Sequence, residues 1–527
     1  MVTARSSLVF LLRKPVLLLC AIVALILVLA LGMAKLRQGA KVGGQSPSGG
    51  EGQTLTVYCA AGLKPAIEPL LKEFEQRYKL PALIQYGGSG TLLSNLQVAR
   101  SGDLFIAGDA SYQEIARSKG LVAELLPLAR QRPVIAVRKG NPKGIRALED
   151  LARADVRLAL ANPDAASIGK QGQAILKNAG LWDRIDERVR KDGVFKPTVN
   201  EVANDVKLGA VDAGITWDAT LSQYPELEGV RAPALDKAVE EVQVGVLTWT
   251  KQPTAALRLA RFLNCRESSP VFQAHGFEPV DGDVWEWAPE VTFYCGSVNR
   301  RAVEKVIKAF EQREGVTINT IYNGCGILTA QMRTINQKGG AGFPDVYMAC
   351  DRYYLENVKN WFQEDRDLSD ARIVIAAQKG NPKNIQTLND LAKPGFRVAV
   401  GQPEQCTIGA LTRILLQKEG IYDAVMANVV QQTASSAMLV PTVTTSSVDA
   451  AIAYNTDTRA EADKIVVIPI DSPNALAIQP FSIARSSDSK YLGRRLLEKL
   501  RSSRKDFEEA GFHFRGGEEA ATAPGTH

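Results

Sequence analysis

The chain of 527 residues contains one long stretch twice. Val134 to Ala152 aligns without a gap with Val374 to Ala392, and 13 of the 19 aligned residues are identical. Further pairs of similar segments occur in the same order in the two halves: Val57–Arg77 with Phe293–Arg313, Tyr86–Leu96 with Tyr322–Met332, Gly102–Asp109 with Pro344–Asp351, Asn162–Leu176 with Gln402–Leu415, and Val211–Trp217 with Val448–Tyr454. A period of roughly 230 residues is far longer than that of a solenoid repeat, so it predicts two tandem copies of a whole domain.

Each copy alternates short apolar segments with amphipathic ones. In the first copy "TLTVYCAA", which starts at Thr54, is typical of a strand, and the next stretch has Ile67, Leu70, Leu71 and Phe74 at helical spacing. This alternation predicts parallel sheets with crossover helices, and therefore the α/β class. In such sheets ligands bind beyond the carboxyl ends of the strands, where loops lead into helix N-termini.

Six short motifs occur in order in the first copy: an "AA" loop, "GSGTL", "DLFIAGD", "KGNP", "NPDAASIG" and "VDAGI". The second copy contains counterparts of all six. This ordered set resembles the periplasmic molybdate-binding protein family, one of the two-lobed solute-binding protein families of ABC transporters with the type II periplasmic binding fold. The resemblance covers about Leu55 to Trp285 and Trp287 to Gly516.

The resemblance implies two tandem Venus-flytrap domains, each with two α/β lobes joined by two crossing strands. Each domain would close on a tetrahedral oxyanion held by neutral hydrogen-bond donors. The implied partners are the permease and ATPase subunits of an ABC transporter, and no cofactor other than the bound anion is implied. The repeated phrase "VIAVRKGNP" (134–142) would mark the crossing between lobes, with Gly-Asn-Pro forming the turn that ends a buried strand.

An anion site at these loops has a physical basis that is independent of the resemblance. Backbone N–H groups at a helix N-terminus carry partial positive charge, so a small dianion needs no lysine there. The candidate loops are rich in glycine, alanine, serine and threonine and nearly free of acidic residues. Helix capping is the alternative role for the two hydroxyl residues of the "GSGTL" loop. In the first copy the predicted ligand-binding residues are Ala61, Gly62, Ser89, Gly90, Thr91, Ser167, Ile168, Gly169 and Trp217.

The first copy departs from the family pattern at two positions. Gly62 stands where the first loop of the family usually ends with a serine. Trp217 stands where the family usually has a ligand-contacting tyrosine, although its indole can still donate one hydrogen bond. Molybdate is the leading ligand, and tungstate, sulfate, phosphate or an organic anion stays open.

The second copy departs further. Tyr454 restores the family tyrosine and Ser297 supplies a hydroxyl near the first loop, but cysteine and isoleucine replace Ser89 and Thr91. The predicted ligand-binding residues of this copy are Ser297, Cys325, Gly326, Thr407, Ile408, Gly409 and Tyr454.

Four of the seven cysteines lie in the second copy, at loops predicted to face one cleft: Cys295, Cys325, Cys350 and Cys406. Three interpretations are open. The cysteines can be small apolar core residues, they can form one or two disulfides in an oxidising compartment, or they can bind a soft metal such as Cu(I) or Zn. A disulfide across the two lobes would lock the cleft and make this copy a structural or docking module.

The N-terminus contains an uncharged apolar stretch from Val16 to Ala34, preceded by Arg5, Arg13 and Lys14. At ~1.5 Å per residue such a helix just spans a bilayer core, and the preceding positive charge predicts a cytoplasmic N-terminus with the remainder outside. A cleaved signal peptide is the alternative. The predicted organisation is a cytoplasmic N-terminus (1–15), a transmembrane anchor or uncleaved signal (16–34), a flexible linker (35–53), two solute-binding domains (54–285 and 286–516) and a disordered tail (517–527).

Other functional classes fit less well. With only three histidines, a His-based zinc or triad enzyme is not expected. The recurring pairs Asp109 with Asp351 and Asp212 with Asp449 have no accompanying nucleophile or base, so we expect no enzyme. The net charge of +6 is spread along the chain without a basic run, which argues against nucleic acid. A sensor role would need a separate signalling partner, because the predicted cytoplasmic segment is too short to hold a signalling domain.

Overall fold

The computed structural model describes residues 54–517. The predicted N-terminal segment, anchor and linker, and the predicted tail from residue 518 onward, lie outside the described residues. Within 54–517 no helix combines the length and the apolar character that crossing a bilayer requires.

The strands alternate with helices as predicted. In chain order they are β1 Leu55–Ala60, β2 Ala82–Gly87, β3 Leu104–Ala107, β4 Val122–Gln131, β5 Pro133–Arg138, β6 Leu158–Ala161, β7 Val194–Lys196, β8 Ala213–Trp217, β9 Leu227–Val230, β10 Glu240–Leu247, β11 Glu278–Pro279, β12 Glu290–Gly296, β13 Thr317–Asn323, β14 Val346–Met348, β15 Phe362–Gln378, β16 Val398–Gly401, β17 Val429–Thr433, β18 Ala450–Tyr454, β19 Ile465–Pro469, β20 Leu476–Ala484 and β21 His513–Phe514.

The α-helices are α1 Lys64–Tyr78, α2 Ser89–Ala99, α3 Ala110–Ser118, α4 Ser167–Asn178, α5 Trp182–Asp192, α6 Val199–Lys207, α7 Asp218–Leu221, α8 Pro233–Asp236, α9 Pro253–Asn264, α10 Ser269–Ala274, α11 Arg300–Glu314, α12 Cys325–Gln337, α13 Arg352–Glu356, α14 Thr407–Lys418, α15 Tyr422–Met426, α16 Leu439–Thr444, α17 Asn455–Thr458, α18 Lys490–Arg501 and α19 Arg504–Glu509. Short 3-10 turns occupy Ala61–Leu63, Leu148–Ala152, Arg266–Ser268, Ser297–Asn299, Lys359–Trp361, Leu388–Ala392, Ser436–Met438 and Arg459–Glu461. The predicted helix after the first strand is confirmed as α1, and its four periodic apolar residues are all buried.

The first copy folds into two lobes, each built on its own sheet. The first-lobe sheet has the strand order β11-β4-β10-β3-β1-β2, and the second-lobe sheet has the order β7-β6-β8-β5-β9. Strand β1 runs parallel to β2 and β3, whereas β10 is antiparallel to β3 and β4. The chain crosses from the first lobe to the second between β4 and β5 and returns at β10. The predicted two-lobed α/β architecture with two crossings is therefore confirmed.

In the second copy the two sheets are continuous, because one 17-residue strand, β15, crosses both lobes. Its first part, from Phe362 to Arg372, pairs with β20 of the first lobe. Its last part, from Ile373 to Gln378, pairs with β18 and β19 of the second lobe. The two copies thus differ at the crossing itself: Arg132 interrupts the strand in the first copy, and nothing interrupts it in the second.

The repeated phrase that opens at Val134 is second-lobe scaffold, and it begins just after the crossing. Its strand β5 is buried up to its last residue and pairs with β8 and β9. The turn that ends it has positive φ at Gly140 and Asn141. The Asn141 side chain accepts from the N–H of Ile145 (2.9 Å) and donates to its carbonyl (2.6 Å), which fixes the turn. Asn381 makes the same pair of bonds with Ile385 in the second copy.

A buried ion cluster joins the two copies. Glu314, at the end of α11 in the second copy, accepts from Arg261 of α9 in the first copy (3.3 Å) and from Arg495 of α18 (2.8 Å). All three side chains are less than a tenth exposed. Asp283, which precedes the second copy, accepts from two backbone N–H groups in the first turn of α18, at 2.8 and 2.9 Å.

Candidate functional site

Loops that follow the strands of both lobes enclose a cavity in the first copy. It has a volume of about 320 Å³, including its open mouth. Its lining residues are Ala60, Ala61, Gly62, Leu63, Gly87, Gly88, Ser89, Gly108, Gln131, Ala166, Ser167, Ile168, Thr198, Val199 and Trp217. Six of the nine residues predicted to bind the ligand in this copy are among them: Ala61, Gly62, Ser89, Ser167, Ile168 and Trp217.

The cavity is electrically neutral in its side chains, because none of its lining residues is acidic or basic. Four helical segments begin at it: the 3-10 turn at Ala61, α2 at Ser89, α4 at Ser167 and α6 at Val199. The first N–H groups of a helix have no partner inside the helix and carry positive partial charge. Their convergence, without a competing carboxylate, makes this a place where an anion is favoured.

Ser89 is oriented by a contact within the first lobe and does not cap its own helix. The N-cap of α2 is Gly88, which makes no side-chain cap bond. The Ser89 hydroxyl oxygen instead accepts from the N–H of Gly108 at 3.0 Å. Its own O–H proton is then available to donate to a guest in the cavity. From the second lobe, the Ser167 hydroxyl oxygen also packs against Gly108, 2.4 Å from where a Cβ would stand.

Three residues predicted to contact the ligand lie outside the cavity lining. The N–H groups of Gly90 and Thr91 donate to the Ala165 carbonyl of the second lobe, at 2.9 and 3.3 Å, and the Thr91 side chain is exposed. Gly169 packs against the end of β6: a Cβ there would lie 2.5 Å from the carbonyl of Asn162. In this conformation Gly90 and Thr91 hold the two lobes together, and Gly169 allows α4 to pack closely against the end of β6.

The first cleft is closed, and glycine permits the closure. A Cβ at Gly88 would lie 2.3 Å from the Ala165 carbonyl, and one at Gly90 would lie 2.1 Å from the Asp164 carbonyl. The Tyr112 hydroxyl also donates across the cleft, to the Pro163 carbonyl at 3.2 Å. Because a real side chain cannot stand that close to backbone oxygen, the lobes could not approach in this way without these glycines.

Gln131 and Thr198 are polar cavity residues that were not among the predicted ligand-binding residues. Gln131 ends β4 and donates to the Gly108 carbonyl at 2.7 Å, in a fully buried contact. Thr198 is the N-cap of α6, where its hydroxyl accepts from the N–H of Glu201 and donates to its carboxylate. The spacing of threonine and glutamate is that of a capping box, so this helix start was readable from the sequence.

The recurring aspartates have structural roles. Asp109 caps α3 by accepting from the Tyr112 N–H (3.3 Å) and from the Ser111 hydroxyl (2.8 Å), and burial raises its pKa. Asp212 accepts from the N–H of Arg157 at 2.9 Å. In the second copy Asp351 and Asp449 make the corresponding bonds to backbone N–H groups, at 2.8 and 2.9 Å. None of these carboxylates lines the cavity of the first copy.

One further carboxyl lies where the two lobes of the first copy meet. Glu240 of β10 contacts the Gln171 amide of α4, across the lobe boundary. Burial, together with the nearby carboxylates of Asp109 and Glu114, raises the pKa of Glu240 to about 7.

The second copy closes in the same way but presents different groups. Gly326 donates its N–H to the Gln405 carbonyl of the second lobe at 3.1 Å, as Gly90 does to Ala165. The predicted residues stand at the corresponding helix starts and strand end: Ser297 opens a 3-10 turn, Cys325 and Gly326 open α12, Thr407, Ile408 and Gly409 open α14, and Tyr454 ends β18.

Six cysteines lie among the described residues, and all six are buried free thiols. Of the four in the second copy, the structure brings Cys325 and Cys350 together, with their sulfurs 3.0 Å apart. Both follow first-lobe strands, so a disulfide between them would not tie one lobe to the other. Cys406, on the second lobe, donates to the Thr433 carbonyl at 3.5 Å. Between residues 54 and 517 no three His, Cys, Asp or Glu side chains are grouped so that they could hold a metal ion.

Both copies match a family of known proteins. Residues 55–278 and 291–513 each match the family described as bacterial extracellular solute-binding protein. A Haemophilus influenzae protein named only as a candidate binding protein is 26% identical over 226 residues, which cover 43% of this chain and 91% of that protein. The molybdate-binding protein ModA of Mycobacterium tuberculosis is 24% identical over 229 residues, 43% of this chain and 84% of its own. The solved structure of the Azotobacter vinelandii periplasmic molybdate-binding protein is 18% identical, with a TM-score of 0.38, and covers 43% of this chain and 100% of its own.

Proposed function

The chain belongs to the family of bacterial extracellular solute-binding proteins, and on that premise we propose that its first copy captures a small tetrahedral oxyanion for an ABC transporter. Molybdate is the leading ligand, and tungstate, sulfate and phosphate are the alternatives of the same chemistry. The permease and ATPase subunits of the transporter are the proposed partners. Capture and release need no chemical step, so we propose no catalytic residue.

The neutral cavity of the first copy is the observation that supports this proposal. Its lining offers helix-terminal N–H groups and the Ser89 and Ser167 hydroxyls, one from each lobe. The lining side chains include no carboxylate, thiolate or imidazole and only one amide carbonyl, that of Gln131, so they offer neither the several oxygens that a hard cation needs nor the ligands of a soft one. Hydrogen bonds to a charged acceptor are stronger than those between neutral groups, so such donors suit an oxyanion.

Closure of the lobes would complete the site. The contact of the Gly90 and Thr91 N–H groups with the Ala165 carbonyl brings the starts of α2 and α4 together, so that Ser89 and Ser167 both line the cavity. An anion that binds donors from both lobes has a higher affinity for the closed form than for the open one. It therefore shifts the population toward closure by that difference in affinity.

Calorimetric titration of the full chain with molybdate, tungstate, sulfate and phosphate tests the proposal. We expect saturable heat with molybdate. Ala61→Asp, which places a carboxylate in the first cavity, should abolish it by charge repulsion. Ser297→Asp at the corresponding position of the second copy is the matched control and should leave the first-cleft binding intact. Absence of saturable binding for all four anions would reject the oxyanion assignment.

We also propose that the stretch from Val16 to Ala34 anchors the protein in the cytoplasmic membrane, with both copies outside. The support is its sequence, an uncharged apolar run preceded by three basic residues, and it lies outside the described residues. The full chain is expected to stay in the membrane pellet through alkaline carbonate extraction. Recovery of a soluble form that begins after Ala34 would instead identify a cleaved signal peptide.

A further inference from the structure

Three positions around the end of the central first-lobe strand differ together between the two copies. They pair, first copy with second, as Ala60 with Gly296, Ser89 with Cys325, and Gly108 with Cys350. The strands that carry them have the same order in both copies, β3-β1-β2 and β14-β12-β13. The substitutions therefore fall on three adjacent strand ends, at one point in space.

The backbone geometry at this point is retained, with sulfur in place of oxygen. In the first copy the N–H of Gly108 donates to the Ser89 hydroxyl oxygen at 3.0 Å. In the second copy the N–H of Cys350 donates to the Cys325 sulfur at 3.1 Å. Because the second copy has Cys350 where the first has Gly108, a second sulfur is added to the site, 3.0 Å from that of Cys325.

The third substitution makes room for the two sulfurs. A Cβ on Gly296 would lie 2.2 Å from the Cys350 sulfur and 2.7 Å from the Cys325 sulfur, which no real side chain could tolerate. The first copy, which has no sulfur here, carries Ala60 at this position. A cysteine that served only as a small apolar filler would not require both a second sulfur and the removal of a methyl group beside it.

We propose that Cys325 and Cys350 are an oxidisable pair that forms an intradomain disulfide in the first lobe of the second copy. The inference does not depend on the ligand of the first cleft and goes beyond the proposed function. The oxidant by chemical class is a disulfide, either of a low-molecular-weight thiol or of a partner protein. Two thiols of this chain are oxidised and one external disulfide is reduced to two thiols, so atoms and electrons balance.

The exchange proceeds in two steps. Cys325 loses its proton and its thiolate attacks one sulfur of the external disulfide, which forms a mixed disulfide and releases one thiolate. Cys350 then loses its proton and attacks the Cys325 sulfur, which forms the internal bond and releases the second thiolate. Each released thiolate takes up one of the two protons.

The surroundings favour Cys325 as the attacking thiol. Burial alone would raise the pKa of Cys325, but the adjacent Cys350 thiol, with the two sulfurs 3.0 Å apart, and the Cys350 N–H, which donates to the Cys325 sulfur at 3.1 Å, lower it below its usual value. The hydrogen bond to Cys325 and burial raise the pKa of Cys350 instead. A reactive thiolate beside a protonated second thiol is the arrangement that thiol–disulfide exchange requires.

Access to the pair is controlled by the cleft. Cys325 is fully buried and Cys350 is 5% exposed, with Thr407 of the second lobe facing both. An external disulfide can therefore reach the pair only when the second cleft opens. Gly326→Ala should hold this cleft ajar, since the added Cβ would lie 2.1 Å from the Glu404 carbonyl.

The test is thiol counting and peptide mapping of the full chain after equilibration with oxidised and reduced glutathione. Of the seven cysteines, two should be lost as free thiols at oxidising ratios, and one linked peptide pair should contain Cys325 and Cys350. Gly326→Ala should speed the loss, whereas Gly90→Ala at the corresponding position of the first copy should not. Seven free thiols at every ratio, or a link through another cysteine, would overturn the proposal.

Two variants that restore first-copy residues keep the test independent of folding defects. Cys325→Ser gives the residue found at Ser89 and should abolish the disulfide, leaving Cys350 free. Cys406→Ala gives the residue found at Ala166 and should leave the disulfide unchanged. If Cys406→Ala abolished the link while circular dichroism showed a folded chain, the pairing would be wrong.

Discussion

Replacing Glu314 by alanine is expected to lower the free energy of unfolding by about 3–5 kcal/mol. The carboxylate is 3% exposed and accepts from the guanidinium groups of Arg261 and Arg495, which come from different copies. Its removal would leave two cations buried without a counter-charge, and uncompensated buried charge is among the costliest single-site defects. Burial already lowers the pKa of Arg261 to about 10, with Glu314 opposing that shift.

Urea denaturation followed by circular dichroism measures this loss. Glu304→Ala is the matched control, because Glu304 lies on the same helix and pairs with Arg300 at an exposed i, i+4 position. Exposed pairs of this kind contribute about 0.3–0.5 kcal/mol. Equal effects of the two substitutions would show that the junction between the copies does not depend on the buried cluster.

Replacing Ser89 by alanine is expected to weaken molybdate binding by about 10- to 100-fold. A hydrogen bond to a charged group contributes roughly 1.5–3 kcal/mol, and each 1.4 kcal/mol is tenfold in affinity. The substitution also leaves the Gly108 N–H, which donates to the Ser89 oxygen at 3.0 Å, without that acceptor. Titration calorimetry of the variant against the unaltered chain measures the loss.

Thr91→Ala provides the comparison, since this residue is two positions away and its side chain is exposed. Its removal is expected to change the affinity by less than about twofold, as for a surface substitution. A larger effect at Thr91 than at Ser89 would mean that the ligand-bound cleft presents a different face of α2 from the one seen here.

The sequence was sufficient for the architecture. The two copies follow from the duplication, and the alternation of strands with helices follows from hydrophobic periodicity, since both patterns can be detected within the sequence itself. The two lobes in each copy were implied by the resemblance of the ordered motifs to a known family. The neutral character of the first cleft was also predictable, since the loops at the strand ends contain almost no ionisable residues.

Which loop residues face the cavity could not be predicted. Ser89 and Thr91 are both hydroxyl residues in the first turn of α2, yet only Ser89 lines the cavity. Two positions on a helix are about 200° apart around its axis. The rotation of α2 against the second lobe, set by the contact of Gly90 with Ala165, decides which one points inward.

A glutamine that comes from different strands in the two copies was equally hidden. In the first copy Gln131 of β4 donates to the Gly108 carbonyl (2.7 Å), whereas in the second Gln479 of β20 donates to the Cys350 carbonyl (3.1 Å). The alignment of the two copies shows only that the second copy has no glutamine at the position of Gln131. The same holds for Glu314, whose two arginine partners lie 53 and 181 residues away.

By itself, the sequence determined the number of copies, the order of their elements and the uncharged nature of the first cleft, because repetition, periodicity and composition can be seen in short segments of the chain. Only the tertiary structure decided which hydroxyl enters that cleft, which two cysteines meet, and which charges join the copies. Those outcomes depend on how separate segments are rotated and stacked against one another, and the packing of distant side chains sets that geometry.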